Sequence, residues 1–251
     1  MQFWQQLNAG QQTRRRGGAA WTPAGPTTDG GASPGAWWDA SAIEGLSDTD
    51  PVASWPDLAN SYDFAQETPA DRPLYRTNIA NSLPVVRFTA GDKLLATGGV
   101  VTGDNARTVI MVCNPDSDGS YYTMFALANG GSEIGQPYVI TPELAVRAYH
   151  RTWVGVRGFA ALGLVTSNYA GGGLATNHVM RLDGSPITQD SGATGTISTS
   201  SAGMQIGGTT PATPDNYAGD IAEVLVYASS LSELDVAQLE SYLATKWGIA
   251  L

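Results

Sequence analysis

From Trp37 onward, short apolar runs alternate with clusters of Gly, Asn, Asp and Pro, the spacing of an all-β sandwich or barrel. The pattern predicts strands at Val85–Phe88, Lys93–Ala96, Arg107–Asn114, Tyr121–Ala128, Tyr138–Thr141 and Leu144–Ala148. Further strands are predicted at Trp153–Arg157, Gly163–Ser167, His178–Leu182, Thr194–Ile197, Gly203–Ile206 and Ile221–Tyr227. Between them stand turns such as Asn114-Pro115-Asp116, Asp118-Gly119, Asp183-Gly184 and Gly207-Gly208, residues that tolerate positive φ. Gly171-Gly172-Gly173 reads as a loop and not a phosphate cradle, because no helix is predicted after it. Only the end of the chain changes period. Ser232 is a good N-cap, Val236, Leu239 and Leu243 recur at helical spacing, and Gly248 supplies the stop, so a short helix over Ser232–Lys246 should pack Leu239, Leu243 and Trp247 on the sandwich.

Residues 1–35 break the pattern. Phe3, Trp4 and Leu7 form one apolar turn, Arg14, Arg15 and Arg16 follow, and a Gly/Pro/Thr-rich stretch runs to Gly35. Such a segment cannot bury enough surface to order itself. The expected organisation is therefore an extended N-terminal docking arm, 1–35, and one sandwich domain, 36–251.

Composition narrows the classes. Charged residues are 14% of the chain against roughly 25% on average, and glycine is 30 of 251, which excludes a coiled coil or helical bundle. Seven Trp, ten Tyr and five Phe argue against wholesale disorder. Acids outnumber bases 23 to 13, and the only basic run is Arg14–Arg16, so no nucleic-acid partner is expected. The single cysteine, Cys113, lies in an apolar run and reads as a buried, inert thiol. No apolar stretch resembles a secretory leader or a membrane span, so the expectation is synthesis in a cytoplasm without a signal peptide and no membrane insertion.

Several stretches together resemble the concanavalin A-like (laminin-G-like) jelly-roll domains. They are Trp38-Asp39-Ala40-Ser41, Val52-Ala53-Ser54-Trp55-Pro56-Asp57-Leu58, Arg72-Pro73, Val85-Val86-Arg87-Phe88, Arg181-Leu182-Asp183-Gly184 and Ile206-Gly207-Gly208, then Tyr217 to Tyr227, Leu231-Ser232, Tyr242-Leu243 and Lys246-Trp247-Gly248-Ile249. The resemblance runs from about Trp37 to Ile249. It implies a two-layer antiparallel jelly-roll sandwich, a fold shared by lectins, glucanases, adhesion modules and bacteriophage virion proteins, and so leaves function open.

Glycosidases of this superfamily carry Glu-x-Asp-x-x-Glu on one strand, which would turn its carboxylates to one cleft. Glu133, Glu143 and Glu223 each lack that pattern. Glu223 is expected on the face opposite Ala222 and Val224, solvated or hydrogen-bonded. His150 reads as a turn residue and His178 as a strand-edge residue. Asp116-Ser117-Asp118-Gly119 begins like a calcium loop, but it lacks a third alternating ligand and a distal Glu; a plain turn is preferred and no cofactor is expected. Asp48-Thr49-Asp50 is similarly ambiguous. Trp38 and Trp55 read as core residues, whereas Tyr121, Tyr122, Tyr138 and Tyr169 are the candidates for stacking on a glycan.

Three functions compete. The first is a non-enzymatic structural or adhesion protein of a tailed bacteriophage, multi-copy on the virion, meeting other virion proteins through the arm and host-surface carbohydrate through the sandwich. The second is a stand-alone carbohydrate-binding module or lectin, and the third a divergent glycan hydrolase.

Overall fold

A computed structural model describes residues 22–23, 32–89, 91–116, 123–127, 138–142, 144–148, 151–155, 159, 161–192, 196–199, 203–208 and 217–251. These form a two-layer antiparallel β-sandwich with one long helix at the C-terminal end. In chain order the strands are β1 (Ala36–Asp39), β2 (Ser54–Trp55), β3 (Phe64–Ala65), β4 (Leu74–Ala80), β5 (Leu83–Phe88) and β6 (Leu94–Ala96). Then come β7 (Arg107–Pro115), β8 (Phe125–Leu127), β9 (Tyr138–Thr141), β10 (Ala145–Ala148), β11 (Arg151–Gly155) and β12 (Gly163–Tyr169). The last are β13 (His178–Leu182), β14 (Ser185–Pro186), β15 (Gln189–Gly192), β16 (Met204–Ile206) and β17 (Gly219–Tyr227). One sheet runs β14-β13-β12-β7-β17-β5-β4 with β1 also on β17; the other runs β15-β11-β10-β9-β8-β16-β6-β3-β2.

Most elements fall where the apolar pattern puts them. The exceptions are instructive. Thr196 and Ile197 are not in a strand, although Ile197 is buried; the pairing near there is made by β15 instead. Strands β1 and β4 were not expected. β1 pairs with the second half of β17, Asp39 opposite Glu223, while β5 pairs with its first half. β17 thus changes partner along one edge, and its register against β7 shifts between Ile221 and Glu223. That bulge puts Ala222 on the outer face together with Glu223, correcting the simple alternation expected for this strand.

Two apolar layers result. Between the sheets lie Trp38, Trp55, Phe64, Phe88, Phe125, Met111 and Val224, with the Trp38 and Phe64 ring centroids 4.4 Å apart. Both tryptophans are core residues, as expected. On the outer face of the first sheet, Ile110, Val112, Leu225 and Tyr227 meet Val236, Leu239, Leu243 and Trp247 of the C-terminal helix, Glu233–Trp247. Ser232 caps that helix by accepting the Asp235 N–H at 3.2 Å, and Gly248 ends it at φ 74°. No described helix is long and apolar enough to cross a membrane.

The edge at β4 is covered. Thr49 donates its N–H to Tyr75 O, Tyr75 N–H goes to Asp50 O, and Val52 N–H to Pro73 O, each at 2.8 Å. Asp48 accepts the Thr77 N–H at 2.9 Å and Arg76 Nε at 3.1 Å. The Asp48-Thr49-Asp50 stretch is thus a strap along a strand edge, with its carboxylates committed to protein donors.

Candidate functional site

The loop that follows β2 is organised by one carboxylate. Asp57 is buried, and its carboxylate gathers four backbone N–H groups: Trp37 at 2.8 Å and Ala59 at 2.9 Å on Oδ1, Asn60 at 3.2 Å and Tyr62 at 3.1 Å on Oδ2. All of its acceptor capacity is used. Asp63 Oδ1 in turn accepts the Asp57 N–H at 2.8 Å, and the Trp38 indole N–H donates to Tyr62 O at 2.9 Å. Asn60 Nδ2 donates to Gly35 O at 2.7 Å. The loop over residues 57–63 is therefore wound around one anion and pinned to β1, its conformation fixed before any ligand arrives.

That loop presents Asn60, Ser61 and Tyr62 to a surface hollow of about 480 Å³, walled also by Gly35, Val100 and Ala228. Two glycines shape it. A Cβ on Gly35 would lie 2.4 Å from Val100 Cγ1, and one on Gly98, at φ 83°, would lie 3.3 Å from Tyr62 Cε1. Tyr62 and Val100 are half-buried against the inter-sheet core, so ring and wall are rigid while Asn60 and Ser61 stay exposed. The hollow thus combines an aromatic side chain with hydroxyl and amide groups.

The sequence-selected residues stand elsewhere. Tyr169 is fully buried, so it cannot stack on a glycan. Its hydroxyl donates to Asp104 Oδ1 at 2.5 Å and accepts the Gly173 N–H, and burial followed by the Asp104 bond pushes its pKa up to about 12. Burial opposes the charge on Asp104, but hydrogen bonds from Tyr169, Ile197 and Gly172 outweigh it and hold that carboxyl below its ordinary range. Beside them Arg107 donates to Asn105 O, Gly103 O and Thr199 Oγ1. This cluster ties three loops together through bonds among its own members. Tyr138 begins β9 opposite Leu127, and its side chain lies outside the described residues, as do Tyr121, Tyr122, His150, Glu133, Glu143 and the arm residues Phe3, Trp4, Leu7, Arg14, Arg15 and Arg16. Of the calcium candidates, Asp116 is exposed with its N–H on Ala218 O, and Asp118 lies outside the described residues.

The acids and bases are also placed. Glu223 is fully buried, not solvated: Oε1 accepts the Trp37 indole N–H, Oε2 the Trp247 indole N–H and Lys246 Nζ, each at 2.7 Å. Lys246 Nζ also meets Asp39 Oδ2 at 2.5 Å. Glu223 therefore does have a second carboxylate, Asp39 across the β1–β17 pair, but the ammonium fills the gap between them. Burial and then Asp39 raise the Glu223 pKa against the pull of Lys246; for Lys246 the two carboxylates outweigh burial and raise it. Its three partners can only donate, so the geometry reads an ionised Glu223.

His178 opens β13 and is buried, not at an exposed edge, with Nε2 2.8 Å from Ser167 Oγ on β12. Burial lowers its pKa to about 3, keeping the ring neutral. Ser167 is fully buried as well, so no substrate reaches the pair as it stands. Cys113 is inert: it is buried, burial drives its pKa up, and its sulfur lies 3.8 Å from Met124 Sδ.

Comparison with known proteins gives structure and nothing finer. No family model matches the sequence, and no curated protein does. Among solved structures, domain 4 of the extracellular GH43 arabinanase AbnA from Geobacillus stearothermophilus, in complex with arabinotriose, has a TM-score of 0.55 at 11% identity, covering 77% of this chain and 100% of that one. A Trypanosoma rangeli sialidase in complex with a difluoro-KDN has a TM-score of 0.49 at 14% identity; the match covers 98% of this chain but spans only 38% of the sialidase. The likeness is one of fold. It bears on the β-sandwich alone.

Asn60, Ser61 and Tyr62 escaped the sequence reading, though Asp57 lies in a stretch that carried the resemblance. The available signal was an aspartate after Trp55-Pro56 whose side chain can take the N–H groups two and three residues on, a turn that fixes whatever follows it.

Proposed function

We propose that this chain is a non-enzymatic recognition module that binds carbohydrate at the Tyr62 hollow. The observation that carries the proposal is the loop around Asp57, which holds an aromatic ring, a hydroxyl and an amide rigidly at one concave surface. Pre-organisation of this kind lowers the ordering cost of binding a weak, polar ligand. A domain of the same fold, from the arabinanase, is in complex with arabinotriose. Against hydrolysis, Glu223 and Asp39 are bridged by Lys246, and Ser167 and His178 are buried. Immobilised-glycan screening followed by calorimetry tests the proposal. Tyr62→Ala should weaken any bound glycan roughly ten- to a hundredfold, as expected for an aromatic contact worth about 1.5–3 kcal/mol. Binding that survives Tyr62→Ala unchanged overturns it.

The setting we propose is a tailed-phage particle, with the N-terminal arm as the docking element, on the composition break before β1 and the basic run Arg14–Arg16. Deleting residues 2–21 tests this: a folded sandwich that no longer incorporates supports it, and normal incorporation refutes it.

A further inference from the structure

We infer that the Tyr62 hollow selects sugars without an anionic group, hydroxyl-rich and either neutral or amine-bearing. This deepens the glycan-binding reading and rests on it. Of the six described residues that wall the hollow, none is Lys, Arg or His. A carboxylate or sulfate ester on a sugar is recognised by guanidinium forks, by ammonium groups, or by convergent backbone N–H groups.

The third device is the decisive one. A tight loop such as 57–63 is where backbone N–H groups converge and where an anion would naturally be held. Here that anion is already built in. The N–H groups of Trp37, Ala59, Asn60 and Tyr62 all end on Asp57, so these four donors are spent on a built-in carboxylate and are not open to an incoming acid.

The side chains continue the bias. A backbone carbonyl can only accept, so the bond to Gly35 O orients the Asn60 amide with one Nδ2–H turned inward, leaving Oδ1 as an acceptor beside its second N–H. Asp63 is exposed on the same loop, with Oδ1 on the Asp57 N–H. The chain as a whole carries a formal charge of −10. What the described lining offers is the Tyr62 side chain, the Ser61 and Tyr62 hydroxyls and the Asn60 amide, groups that pair with sugar hydroxyls and include no cation to pair with an acid.

An array of immobilised glycans in three groups tests the inference: neutral, amine-bearing, and acidic (sialylated, uronylated or sulfated). Wild type is compared with Tyr62→Ala and Asn60→Ala, the folding of each checked by near-ultraviolet circular dichroism. Signals lost in Tyr62→Ala should fall in the neutral and amine-bearing groups, at least tenfold above any acidic glycan with the same core. Among amine-bearing binders the signal should weaken with added salt, whereas neutral ones should not change. Tyr62-dependent binding to acidic glycans at equal or greater strength overturns the inference and leaves the recognition reading standing. Binding to no glycan in a Tyr62-dependent way overturns both.

Discussion

The Trp247 indole N–H donates to Glu223 Oε2 at 2.7 Å, joining the last turn of the C-terminal helix to the middle of β17. The other oxygen holds Trp37 of β1, and Lys246 adds its charge from the same helix turn. One buried carboxylate thus fastens its own strand β17 to the helix that follows it and to β1 at the other end of the described sandwich.

Trp247→Ala removes both the indole and its N–H from a fully buried position, and should cost about 3–5 kcal/mol in chemical unfolding. An unchanged denaturation midpoint would show that the helix does not depend on this contact.

Glu223→Ala leaves Lys246 without its better-buried partner and two indole N–H groups without an acceptor. A loss of about 3–5 kcal/mol is expected, the usual cost of removing one side of a buried pair. Glu223→Gln keeps an acceptor oxygen and should lose less.

His178 makes the protein acid-sensitive. Its folded pKa lies near 3 and its unfolded value near 6.5. Below the unfolded value the open chain takes up a proton that the folded chain refuses. The stabilising effect of a neutral ring is therefore full above about pH 6.5 and is lost as pH falls toward 3, at most about 1.4 kcal/mol per pH unit. Unfolding of wild type and His178→Gln, followed from pH 7 to 4, should show a flatter pH slope in the variant; equal slopes would place the sensitivity elsewhere.

Asp57→Ala strips the acceptor from four N–H groups. Each donor left unmatched costs on the order of 1 kcal/mol where water cannot replace the carboxylate. Amide resonances of residues 58–62 should shift and glycan binding should vanish, while resonances on the far edge, at β14, stay in place.

Gly35→Ala should narrow the hollow, because its Cβ would lie 2.4 Å from Val100 Cγ1 and force that wall to move. Weaker glycan binding with a native-like melting profile is the expected result.

The sandwich, the capped helix and the packing of Leu239, Leu243 and Trp247 were legible because each is written in local period and turn chemistry. β13 is an example: its ends match the apolar run at His178–Leu182. What the sequence concealed depends on contacts between distant residues. The Glu223 and Asp39 pairing spans β1 and β17, and the bulge at Ala222 breaks the alternation used to assign faces. Tyr169 looked like any other tyrosine near glycines, and only the topology shows that it ends β12 against Asp104. For Tyr62 the reverse holds. Its placement follows from a turn built by Asp57, but nothing in the run Asn60-Ser61-Tyr62 says that Val100 and Ala228 will line the same hollow.

The strap over β4 bears on crowding. A bare seven-residue strand edge would let copies of this chain zip together through their backbones, in any number and without fidelity. With Thr49, Asp50 and Val52 already hydrogen-bonded along it, that rim is blunt. Where the strap lies, from Pro73 to Thr77, the backbone of β4 is closed to a neighbouring copy, and a contact made there through side chains has an address: it can be specific, saturable and removed by a single substitution.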